Sequence, residues 1–203
     1  MNPLLVPYLR FVISMHMQIG MTDNGGMHMA DGDKLRIWLE GNDRESLEAR
    51  IERLRFLEAE FGEGKSLLFY GTTPGMVFDE ARLCYLNGLF ISCILVSEAI
   101  IEQSYAGVFH MARAEKLEDR SFSWIVNKAY EDDWINKTEH DTLLKINVHR
   151  NSIAHFRRPD DPRHPVYQAL TQGKDVWEML RDDAKAILHI LFQILNRSPF
   201  RIG

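Results

Sequence analysis

Leu89-Phe90-Ile91-Ser92-Cys93-Ile94-Leu95-Val96-Ser97-Glu98-Ala99-Ile100-Ile101 is apolar at nearly every position. A segment apolar on almost all sides reads as a helix buried on most of its surface, the spine of a bundle or a subunit interface. The spacing of apolar residues before and after it extends the expected helix over residues 76–105. Ser92 and Glu98 interrupt the run, so it falls short of the roughly 18 uninterrupted apolar residues of a membrane span.

Upstream of the spine, Thr73 followed by Pro74 reads as an N-cap and first-turn pair, because proline lacks only a donor that would be orphaned there anyway. Before that, Leu47, Ile51, Leu54, Leu57 and Phe61 recur every three or four residues from Asp43 on, an amphipathic helix that stops at Gly62-Glu63-Gly64. The apolar run 67–70 links the two.

Downstream, residues 121–132 carry Trp124, Ile125, Lys128 and Ala129 in helical register. Thr138-Glu139-His140-Asp141 resembles a capping box opening a helix to about Phe156, with Leu143, Leu144, Ile146, Val148 and Ile153 on its apolar side. Pro159, Pro162 and Pro165 predict a loop, and a last helix starts near Asp175 with a stripe of Trp177, Leu180, Ala184, Ile187, Leu191 and Ile194. The fold class is therefore all-α, a bundle of about five helices over residues 43–203, with residues 1–42 as an N-terminal appendage of little ordered structure.

That appendage holds six of the nine methionines and the run Thr22-Asp23-Asn24-Gly25-Gly26, with a short strand expected near residues 9–13. Its apolar start lacks the basic opening of a signal peptide and carries Pro7, Arg10, His16 and Gln18 within it, so a cytoplasmic protein with no membrane partner is expected. Cys84 and Cys93, nine apart in one expected helix, would point to opposite sides about 13 Å apart along its axis and cannot pair. Two free thiols suit a reducing compartment. The formal charge of −5 argues against a general polyanion binder, and no DNA partner is expected.

No glycine-rich phosphate loop, paired CxxC, HExxH or GxSxG occurs, which removes the sequence warrant for common nucleotide, zinc and serine-hydrolase chemistries. The stretch that remains informative is His149-Arg150-Asn151-Ser152-Ile153-Ala154-His155. A guanidinium can hold a phosphate by two hydrogen bonds and an imidazole can move a proton near neutral pH, so Arg150 and His155 could cleave RNA without metal. Asn151 could hold the phosphate or fix the imidazole. With 16 arginines and 8 histidines, about 0.6 such pairs are expected by chance, so the spacing alone decides little.

The context is more specific. Arg-Asn-x-x-Ala-His on a late bundle helix, preceded by the apolar spine 78–102 and followed by one final helix, resembles the HEPN domain family, and the spine its DUF4145-like branch. The resemblance covers about residues 74–195. It implies a helical bundle that dimerises and brings two Arg-x4–6-His motifs into one cleft. In many members it also implies a metal-independent endoribonuclease acting as a toxin or antiviral effector, which gives an antitoxin or another protein as partner. Other members are non-catalytic interaction modules, so binding of RNA, a nucleotide or a protein stays open beside catalysis, as does a purely structural dimer.

Glu98 and Glu102 lie one turn apart on the most apolar helix, where a lone carboxylate is costly unless paired. One of them could orient Arg150 or His155 across the bundle; a salt bridge to some other basic residue is the plainer reading. Arg157 and Arg158, followed by Arg163 and His164, could steer an RNA backbone, or belong to a solvated loop offset by Asp160 and Asp161. His140, His149 and His155 lack ligand spacing, so neither a metal nor a cofactor is expected.

Overall fold

The computed structural model describes residues 31–61, 72–113, 120–155, 158 and 160–197. All regular structure among them is helical, in seven helices: α1 (Asp31–Phe61), α2 (Thr72–Leu86), α3 (Phe90–Arg113), α4 (Phe122–Glu131), α5 (Lys137–Ala154), α6 (Pro165–Gln172) and α7 (Val176–Asn196). The chain divides into two units, Met1–Leu47 and Glu48–Gly203. In the first, the described residues belong to α1, which begins twelve residues before the expected Asp43 and so makes part of the supposed appendage helical. Leu35, Ile37, Trp38 and Leu39 are exposed there, so no buried stripe marks that stretch as helix. The strand expected over 9–13, the stop at 62–64 and the run 67–70 lie outside the described residues.

The second unit holds the core. α3 packs against α2, α4, α5 and α7, burying Cys93, Ile94, Ile100, Ile101, Tyr105 and Phe109. Each large side chain so buried contributes about 1.5–3 kcal/mol. α7 presents Leu180, Ala184, Ile187, Leu191 and Ile194 to that core, as its spacing predicts, while Trp177, in the first turn, is 38% exposed. At the far end of α3, Trp134 stacks on Tyr105 and Phe109 with ring centroids 5.7 and 4.6 Å apart.

The single spine helix expected over 76–105 is two helices. Gly88 adopts φ +77°, its N–H bonds to the Tyr85 carbonyl at 3.0 Å, and the Leu89 N–H bonds to the Cys84 carbonyl at 2.8 Å. These paired bonds terminate a helix through a left-handed glycine. Arg53 of α1 donates its Nε–H to the Leu86 carbonyl at 2.8 Å, satisfying another helix-end acceptor. Cys84 and Cys93 therefore sit on different helices, both buried and free. The helical separation inferred for them does not apply.

Several boundaries shift for local reasons. α2 starts at Thr72, placing Thr73 and Pro74 inside its first turn, where proline is still tolerated. α5 opens two residues earlier than Thr138 implies: the Asn136 side chain accepts from the Glu139 N–H, and the Glu139 side chain accepts from the Asn136 N–H. It ends at Ala154, short of Phe156, which lies outside the described residues together with Pro159. Pro165, expected in a loop, is the first residue of α6, whose end is Gly173 at φ +65°. α4 and α7 begin where expected, and the structure adds that the side chains of Ser121 and Asp175 cap them.

Among the described residues, the 20-residue segment Phe90–Phe109 is long and apolar enough to cross a membrane, and half of its most apolar window is buried against the rest of the chain, as in a core helix.

Candidate functional site

α5 carries the motif, and its closing turns place the side chains. Arg150 reaches α3: its Nε lies 3.3 Å from Oε2 of Glu98, with the guanidinium side chain 36% exposed and the carboxylate 3%. Its Nη1 donates to Oδ1 of Asn151 at 3.0 Å. Asn151 donates through Nδ2 to Oδ1 of Asn147 at 3.1 Å, and Asn147 donates to Oγ of Ser123 on α4 at 2.8 Å. Hydrogen bonds thus run from Arg150 through Asn151 and Asn147 to Ser123 of α4, whereas Glu98 of α3 meets the guanidinium as an ion pair in which the buried Nε makes no hydrogen bond among the described residues.

Burial is the main reason the Glu98 carboxyl is pushed up to about 7; the Arg150 charge opposes this and Glu102 reinforces it. Its Oε1 is buried and accepts no hydrogen bond among the described residues. Glu102, one turn on and half-buried, faces Glu98 electrostatically.

His155 is the C-cap of α5, one residue past its end. Its backbone is extended (φ −123°, ψ 137°), and its N–H bonds to the Asn151 carbonyl at 3.1 Å. Helical spacing therefore no longer governs where its ring points. The imidazole is exposed and makes no hydrogen bond to a described residue. Asn151 touches both motif residues, Arg150 through its side chain and His155 through its carbonyl. Within one chain no hydrogen bond joins guanidinium and imidazole among the described residues.

Arg158 is exposed and paired with Asp160 through two hydrogen bonds of 3.0 and 2.8 Å. Arg163 pairs in the same way with Asp161, at 3.0 and 2.9 Å. Arg157 lies outside the described residues. No group of three or more His, Cys, Asp or Glu side chains among the described residues is arranged to hold a metal ion.

A second polar cluster escaped the sequence reading. His149, buried, places Nδ1 2.5 Å from Oδ2 of Asp183 on α7 and Nε2 2.5 Å from Oε1 of Gln168 on α6. Lys145 donates to Oδ1 of Asp183 at 3.3 Å. The available signal was Asp183 itself, a carboxylate beside Ala184 within the apolar stripe of α7.

Comparison with protein-family models, curated proteins and solved structures finds no match to this chain.

Proposed function

We propose that this chain is a HEPN-like endoribonuclease of a toxin or antiviral defence system, acting in the cytoplasm as a homodimer and cutting RNA without a metal ion. The supporting observation is a guanidinium fixed by Glu98 and Asn151, followed five residues later by an imidazole open to solvent. In this reading His155 takes the proton of a ribose 2′-hydroxyl, whose oxygen attacks the adjacent phosphorus. Arg150 stabilises the charge that grows on the non-bridging oxygens. The 5′-oxygen leaves with a proton donated by the second copy's imidazole, giving a 2′,3′-cyclic phosphate and a 5′-hydroxyl. Asn151 keeps Arg150 turned toward the substrate.

A second reading is favoured by the pairing of Arg158 with Asp160 and of Arg163 with Asp161, which ties up cations an RNA backbone would need. In it the domain is a non-catalytic module that binds RNA, a nucleotide or a protein partner such as an antitoxin. Induced expression separates the two. A toxic nuclease arrests growth, and His155→Ala or Arg150→Ala at equal protein level relieves the arrest. Arrest that survives both substitutions, or growth unaffected by the wild type, supports the module.

A further inference from the structure

The residue before Arg150 takes no part in the chemistry above. His149 is 1% exposed, and each of its ring nitrogens faces an oxygen at 2.5 Å, Asp183 Oδ2 at Nδ1 and Gln168 Oε1 at Nε2. The far end of Gln168 shows which way its amide points. Its Nε2 donates to the Pro162 carbonyl at 3.1 Å, and a carbonyl can only accept. Turning the amide over would set two acceptors against each other, so it is the Gln168 oxygen that faces the ring and Nε2 must donate to it. On the other side Asp183, held also by Lys145, is an acceptor for Nδ1. An imidazole with both nitrogens donating is an imidazolium.

We propose that His149 is a proton-held latch, fastening α6 and the turn at Pro162 to α5 and α7, and that loss of one ring proton to solvent opens it. A neutral ring that keeps its Nδ1–H for Asp183 turns a lone pair toward Gln168 Oε1. Gln168 must then flip, losing Pro162, or withdraw. Only Pro165 and Ala169 of the eight residues of α6 are fully buried, with Val166, Tyr167 and Gln168 half-buried, so the His149–Gln168 hydrogen bond is a main polar tie between α6 and the helices beneath it.

Charged side chains of the elements that pack around α5 have partners of their own, Arg181 of α7 with Asp182 among them. On α5, Lys145 meets Asp183 and Arg150 meets Glu98 of α3. On α4, Lys128 meets Asp132. In the turn, Asp161 holds Arg163, and His164 accepts the Val166 N–H on Nδ1. The latch stands whether or not the protein cuts RNA.

The test uses the full chain labelled with ¹⁵N. Ring ¹⁵N–¹H correlation spectra count the protons on His149 as pH is raised, while amide hydrogen exchange, corrected for its intrinsic pH dependence, follows α6 and α7. Two protonated ring nitrogens are expected at the acid end, with α6 protection falling at least about tenfold as one proton leaves and α7 protection unchanged. Gln168→Ala, which spares the His149–Asp183 pair, should leave α6 weakly protected at every pH. A singly protonated ring beneath a fully protected α6, or α6 protection constant through the ring's titration, would overturn the proposal.

Discussion

Glu98 of α3 and Arg150 of α5 meet at 3.3 Å, and the carboxylate is almost wholly withdrawn from water while the guanidinium is not. The pair ties the motif helix to the most buried helix of the unit. Its stability is unequal: water still solvates the arginine, but the carboxylate's ionised form is penalised by burial.

The first prediction concerns pH. The Glu98 carboxyl is raised from 4.5 to about 7 on folding, so between those values the folded chain holds a proton that the unfolded chain releases. This contribution to stability is complete below the unfolded value and is lost as pH rises through the folded one. Urea unfolding should show the wild type losing on the order of 2 kcal/mol from this group between about pH 5 and about pH 8. Glu98→Gln, which cannot ionise, should lack that part of the slope. Parallel slopes for the two proteins would contradict the assignment.

Gly88→Ala should destabilise by about 1–2 kcal/mol, because an L side chain is strained at a left-handed backbone position. A Cβ there would meet the Arg53 guanidinium at 3.6 Å, an ordinary contact, so the cost is backbone strain and not collision. The check is a urea midpoint lowered with an unchanged m-value.

Asn136→Ala should cost about 1 kcal/mol by leaving the Glu139 N–H without its capping oxygen. Glu139 itself also pairs with Arg197 beyond the end of α7, so Glu139→Ala should cost more than Asn136→Ala in the same unfolding experiment.

The thiols give a fourth stability readout. Cys93 is buried and its thiol is pushed up to about 12 by that burial, with the Ser97 side chain opposing. Cys84 is raised in the same direction by burial and by Glu80. A thiolate-directed disulfide reagent should leave both unmodified in the native protein and modify both in urea. Rapid native labelling of Cys93 would show that the α3 core opens.

How much of this was legible depended on how local each signal is. Ser121 and Asp175 are helix caps followed directly by apolar periodicity, and α4 and α7 begin where they predict. The break between α2 and α3 carried a signal, Asn87-Gly88, but apolar residues on both sides continue the pattern across it, and periodicity outweighed the glycine. α6 was hidden because proline serves equally as a loop former and as a first helical residue. The partners of Arg150 and His149 are the least local of all. Glu98 stood out as a carboxylate in an apolar run, but Asp183, 34 residues from His149, and Gln168 become neighbours only once three helices pack.

The central claim is that His155 moves a proton in RNA cleavage, and it is tested most directly by incubating the purified full chain with mixed RNA substrates in EDTA beside His155→Ala and identifying fragment ends by mass spectrometry. The account predicts 2′,3′-cyclic phosphate ends from the wild type and a loss of at least about 100-fold in the variant. Intact RNA from a folded wild type, or equal cleavage by both proteins, would contradict it.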